Sequence, residues 1–245
     1  MPFDKIALPD YTRKQEWWNS ISHLCGVIFA LIVGPFLLVK ATNTGNALTI
    51  AACVIYLLTL IILYSGSALY HGLLPGRAKK LFRIFDHNNI FLLIMGSYTP
   101  YTWIALANPQ DGFPWCWIIF GVVWSLCILG IVFNSIDLKK YGKLCMAIYV
   151  GVGSTILVAF YPLYFSIGLP GILTLLGSGV LYWIGATLYG LGGKKNYWYH
   201  TVFHFFILAA TTLMFAVSHG KSLALFKLKE QRSIWKRSSA WWLPK

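Results

Sequence analysis

Long apolar stretches alternate with short polar breaks along the whole chain. Hydropathy places apolar segments at roughly 18–40, 48–71, 83–106, 115–135, 143–165, 169–190 and 199–219. Each is near the 20 or so residues that an α-helix needs to cross a hydrocarbon core about 30 Å thick. Lipid offers no partner to an open sheet edge, so the segments are expected to be helices. The pattern predicts an all-α fold, a seven-transmembrane helix bundle. A segment over 1–17 precedes the membrane domain over 18–219, and a basic, Trp-containing tail covers 220–245. Pro35, Pro100 and Pro162 fall inside spans, which bundles tolerate when neighbours pack closely. No repeat, linker or second domain stands out.

Composition supports a multi-pass integral membrane protein: 58% of the 245 residues are hydrophobic and 11% charged. The first sixteen residues mix charges and hold no uninterrupted apolar core, so no cleaved signal peptide is expected. Cys25, Cys53, Cys116, Cys127 and Cys145 are scattered without C-x-x-C spacing and read as packing residues.

Charge sets the orientation. Lys5, Arg13 and Lys14 precede the first span. Arg77, Lys79, Lys80 and Arg83, then Lys139, Lys140 and Lys143, then Lys194 and Lys195 fall in alternate turns, whereas the intervening loops carry only Lys40. By the positive-inside rule the N-terminus is cytoplasmic and, after seven spans, the C-terminus is outside. The tail runs against this pattern, with Lys221, Lys227, Lys229, Arg232, Lys236, Arg237 and Lys245 against Glu230. The net charge of +13 flanks spans and forms no single stripe, so no nucleic-acid partner is expected.

Titratable residues gather at one membrane level. His71 closes the second span, Asp86 and His87 lie in the first turns of the third, and His200 and His204 open the seventh. With alternating topology all these ends lie on the cytoplasmic side. Ser67 and His71 are four residues apart, as are His200 and His204, so each pair shares a helix face. Two imidazoles at that spacing can grip one metal, and His71 would supply a third ligand, leaving a fourth position for water as in catalytic zinc sites. Asp86 is the only acidic residue inside the spans beyond the first, and an intramembrane carboxylate is by default a functional candidate. The plain reading of these histidines is polar packing between helices, and of Asp86 an ion pair with Arg77 or Arg83. Glu16, Asn19 and His23 line one face of the first helix, either as polar capping or as supports to the site. His87 turns about 100° from Asp86 and reads as a supporting or surface group. His219 falls at the opposite membrane face.

At these residues the chain resembles a known family. "EWWNSISHLCG", "SALYH", "FDHNNIFLLIMGSYTPY" and "HTVFH" are similar to signature blocks of the haemolysin III proteins, within the progestin and adipoQ receptor superfamily and more distantly related to alkaline ceramidases. The resemblance spans about residues 14 to 219. It implies a bacterial inner-membrane location, a seven-helix bundle with the N-terminus inside, and zinc held by His71, His200 and His204, with Ser67 and Asp86 holding the zinc-bound water. Met214 stands where relatives often carry a further histidine, and so long a basic tail is unusual for the family.

The site chemistry then points to a zinc-dependent hydrolase of a lipid amide or ester, ceramidase-like, with Asp86 as base and Ser67 as hydrogen-bond donor. Membrane lipids, as ceramide-like or acyl-lipid substrates, are the expected partners. Two alternatives stay open: a receptor-like or membrane-homeostasis protein with structural zinc, and a haemolysin or pore-forming protein.

Overall fold

A computed structural model describes residues 6–109 and 111–216 of the chain. The described residues form helices α1 Arg13–Asn43, α2 Ala47–Gly72, α3 Arg77–Pro100, α4 Trp115–Ile136, α5 Leu138–Ser154 and α6 Phe160–Lys195, then α7 Trp198–Ala216. No strand occurs among them. The basic tail and His219 lie outside the described residues.

Local chemistry sets the helix ends. Thr12 and Gln15 form a capping box, so α1 starts at Arg13, ahead of the apolar run that begins near residue 18. Gly45, at φ 63°, makes the short turn into α2. The single residue Asp137 ends α4 and caps α5, its carboxylate accepting from the Lys139 and Lys140 amides. Pro100 cannot donate an amide hydrogen, and α3 runs on past it as a π-helical turn over Tyr101–Ala105.

Five stretches are long and apolar enough to cross a membrane: α1, α2, α4, Leu138–Gly192 and α7. At 55 residues the fourth is about 80 Å of helix, far beyond one bilayer. It is broken at Gly168, whose φ 67° and ψ 175° suit glycine alone, and Pro170 follows at once. The chain folds back there. Tyr149 and Tyr189, on opposite sides of the break, both reach His87: Tyr149 Oη donates to its carbonyl at 2.8 Å, and Tyr189 Oη meets its Nε2 at 2.9 Å. The apolar segments expected at 143–165 and 169–190 fall on the two arms of this hairpin. Helix α3 is less apolar than these because its basic opening turns are followed by Asp86, His87, Asn88 and Asn89.

Two packed clusters share α3. Leu37, Tyr56, Leu60 and Phe203 join α1, α2 and α7 on one side of it, and Phe91, Val123, Val152 and Leu163 join α4, α5 and α6 on the other. Gly26 lets α1 approach α2: a Cβ there would stand 2.5 Å from the Tyr64 ring. Outward positions such as Leu31, Ile32 and Phe36 are exposed and apolar, the surface expected of a helix in lipid. The inward stripe of α1 is different. It carries Gln15, Asn19, Ser22 and His23, all buried, before turning apolar at Ala30 and Leu37. Polar groups are thus concentrated where α1, α3 and α7 begin and α2 ends.

Candidate metal centre

The helix periodicity that buries Ser67, Tyr70 and His71 in the last turns of α2 faces them to the first turns of α7, where His200 and His204 share a face. The three imidazoles meet. Nε2 of His200 is 3.3 Å from Nε2 of His71 and 3.1 Å from Nε2 of His204. The ligand atoms of these three residues all lie within 4.8 Å of one another, the only such group among the described residues.

The opposite nitrogens explain why Nε2 points inward. Glu16 is an acceptor only, and its Oε2 lies 2.7 Å from His71 Nδ1, so that nitrogen carries the proton. His204 Nδ1 donates to the Asn19 carbonyl at 3.2 Å, with Ser22 Oγ 3.1 Å away. Asn19 is itself fixed, its Oδ1 accepting from Thr201 Oγ1 at 2.6 Å. His71 and His204 therefore present Nε2 lone pairs to one point. Three nitrogens about 2.0–2.1 Å from a tetrahedral zinc would stand roughly 3.3 Å apart. The observed 3.1 and 3.3 Å fit that ion; without a metal, a His200 Nε2–H could donate to only one of the two facing nitrogens.

Glu16 does more than accept from His71. Its Oε1 is 2.7 Å from Lys79 Nζ, a lysine only 3% exposed that also donates to the Leu73 carbonyl at 2.8 Å. A carboxylate shared between imidazole and ammonium holds the ring orientation with its charge partly neutralised. In the sequence Lys79 reads only as one of four topology-setting bases, and its neighbours give no sign that it turns inward. Ser22 and Thr201 are likewise invisible there, as ordinary helix polar residues.

His23 stacks on His204, with ring centroids 3.7 Å apart, and rests edge-on against Tyr64 at 5.2 Å. Neither of its ring nitrogens has a hydrogen-bond partner. Ser67 is buried, its hydroxyl close enough to act on the Asp86 carboxylate but without a well-formed hydrogen bond. Asp86 stands outside the histidine group. No ion pair forms between it and Arg77 or Arg83 among the described residues. His87 lines the same cavity without joining the triad, its Nδ1 on the Arg83 carbonyl at 2.8 Å and its Nε2 on Tyr189, whose ring lies 5.7 Å from that of His200.

Asp86, His23, His200 and His204 form the head of an apolar cavity. Its walls continue past Leu93, Phe203 and Ile207 to Tyr101, Leu175 and Met214. From His204 to Met214 is ten residues of α7, about 15 Å by helical rise. Met214 is buried there, its sulfur accepting from Tyr101 Oη at 3.4 Å.

Membrane-length apolar helices around an internal histidine triad define a multi-pass integral membrane protein with a candidate metal centre. The profile of the family described as Haemolysin-III related matches residues 11–215. The chain is 33% identical over 202 residues to Hemolysin-3 of Bacillus cereus, covering 82% of this chain and 89% of that protein. It is also 33% identical over 205 residues to the Hemolysin-3 homolog of Bacillus subtilis (strain 168), covering 84% and 93%. The chain belongs to the haemolysin III family, and bacterial relatives fit a place in the inner membrane.

Proposed function

We propose that this protein is a zinc-dependent hydrolase of a lipid amide or ester, working at the cytoplasmic end of seven spans. One observation carries the reading: three Nε2 atoms converge at the head of a long apolar cavity that also holds Asp86. Bound zinc would supply Lewis acidity towards a carbonyl oxygen and make water more acidic at neutral pH.

The chain's own groups do the rest. The cavity takes an acyl chain and excludes bulk water along it. Asp86 accepts the proton of the attacking water, and Ser67, buried near Asp86, donates to that water or to the developing oxyanion. Glu16, Asn19 and Ser22 keep the imidazoles in the tautomers that face the centre. Asp86 lies apart from the triad, which suits a base acting on water better than a fourth ligand of a closed structural site. The cytoplasmic assignment rests on the bases at the starts of α1, α3 and α5, the same end as the triad.

The test is Asp86→Asn, which keeps the volume and one acceptor but removes the base. Zinc content should hold while turnover on a panel of ceramides, acyl amides and phospholipid esters falls about 10²-fold or more. Zinc lost together with thermal stability would favour the structural alternative. A zinc-loaded wild type in bilayers that hydrolyses none of the panel would end the hydrolase reading.

A further inference from the structure

The cavity below the triad is closed at its far end. Four helices wall it, each with a stripe at helical spacing: Asp86 to Tyr101 along α3, Met146 to Ile156 along α5 and the turn after it, Leu175 to Tyr189 along α6, and His200 to Met214 along α7. The members of these stripes farthest from the histidines are Tyr101, Ile156, Leu175 and Met214. All four are buried in one packed cluster, and Tyr101 Oη donates to Met214 Sδ at 3.4 Å. They form the floor. Between head and floor the walls leave a ligand nothing to pair with. Among the described residues every hydroxyl that lines the cavity already has a protein partner: Ser97 donates to the Ile94 carbonyl, Ser178 to the Leu175 carbonyl and Tyr98 to the Val152 carbonyl, Tyr182 meets Thr211, and Tyr149 and Tyr189 both bond to His87. A polar group buried along this shaft would lose its water without replacement, so the walls suit plain hydrocarbon.

A closed shaft of fixed depth measures what enters it. From His204 to Met214 the depth is about 15 Å by helical rise. An extended alkyl chain, built of C–C bonds about 1.52 Å long, advances about 1.25 Å per carbon, so about 12 carbons reach from the metal centre to Met214. We propose that Met214, held by Tyr101, is a specificity-determining residue that stops the shaft and limits the substrate to lipids with an unbranched acyl chain of about 12 to 14 carbons. The floor can be moved in either direction. Met214→Ala removes the side chain beyond Cβ and lowers it. Gly179 lines the cavity one turn above Leu175, and a Cβ there would meet nothing within 4 Å, so Gly179→Leu has room to raise it.

This rests on the hydrolase reading for placing the carbonyl at the triad, and its test reads occupancy alone, so the two fail separately. Protein stripped of metal by a chelator, in digitonin, a steroid detergent with no free alkyl chain, is incubated with an equimolar mixture of the N-methylamides of saturated fatty acids from octanoic to icosanoic. Amides retained through size exclusion are extracted and quantified by mass spectrometry, with a melting curve for each variant. Occupancy should hold up to the tetradecanoic amide and fall about tenfold or more by the octadecanoic amide, because extra methylenes must be forced into a packed end. Met214→Ala should move the limit up by about two to three carbons, the reach of the side chain removed. Gly179→Leu should move it down by about four carbons, the rise of one helical turn. Retention that does not fall through the icosanoic amide would mean that the tail leaves the bundle between helices, and it overturns the proposal. A limit that stays in place in a folded Met214→Ala or Gly179→Leu, or a protein that retains no amide, overturns it as well.

Discussion

Replacing Glu16 with Gln isolates what the carboxylate behind His71 contributes. The change is nearly isosteric and leaves one amide oxygen, which can accept from His71 Nδ1 or from Lys79 Nζ, each 2.7 Å from a different native carboxylate oxygen, while the amide NH2 takes the place of the other acceptor. Lys79 keeps the Leu73 carbonyl at 2.8 Å, so no buried ammonium is stranded. The charge is lost, and with it the polarisation that makes Nε2 a better donor to a metal. Losses of such outer partners cost about 10- to 100-fold in metal affinity, or roughly 1.4–2.8 kcal/mol at 1.4 kcal/mol per tenfold. Competition against a chromogenic zinc chelator at fixed pH and salt measures this directly, with a melting curve to show that the bundle is intact. Zinc affinity within twofold of wild type, in a protein that melts normally, would mean that Glu16 merely pairs with Lys79 and the carboxylate–imidazole argument fails.

Elemental analysis should find about one zinc per chain, abolished in the double variant His200→Ala, His204→Ala, because one imidazole cannot hold the ion; undiminished zinc there refutes the assignment. Gly26→Ala puts a Cβ 2.5 Å from the fully buried Tyr64 ring and should destabilise the protein by about 1–3 kcal/mol, read as a lower denaturation midpoint; an unchanged midpoint would show that α1 and α2 can separate freely. Gly168→Ala forces a side chain into a backbone region open essentially to glycine and should cost about 1–3 kcal/mol, whereas a neutral effect would place the reversal elsewhere. A periplasmic-active reporter fused after residue 220 should be active only outside, and cytoplasmic activity would refute either the seventh span or the orientation.

Much of the site is visible in the chain because helices translate spacing into direction. His200 and His204 at i, i+4, Ser67 and His71 at the same interval, and the stripe Glu16, Asn19 and His23 are all brought to one end of the bundle. What spacing cannot carry is a contact that depends on a long side chain turning back. Lys79 sits among bases that set topology, yet its flexible stem brings the ammonium inward to Glu16. Tyr11 belongs to no helix, so no periodicity foretells that its ring covers the triad. His87 follows Asp86 directly, but one residue is a rotation of 100°, and its ring nitrogens are taken up by Tyr189 and the Arg83 carbonyl and not by the triad. The boundary between the fifth and sixth apolar segments is hard to see for a different reason. Hydropathy averages over many residues, while the reversal is made by Gly168 alone with Pro170 behind it.

That reversal ties the chemistry to a matter of parity. His71 and His200 are 129 residues apart, and they share a membrane face only because every turn between them sends the chain back the way it came. Had the helix run straight through Gly168, α7 would begin at the opposite leaflet and its imidazoles would lie a bilayer's width from His71. In a chain synthesised from its N-terminus, the last ligands arrive with the last helix. If the proposed ion binds, its capture would report that the second and last helices have met, and it would clasp α2 to α7.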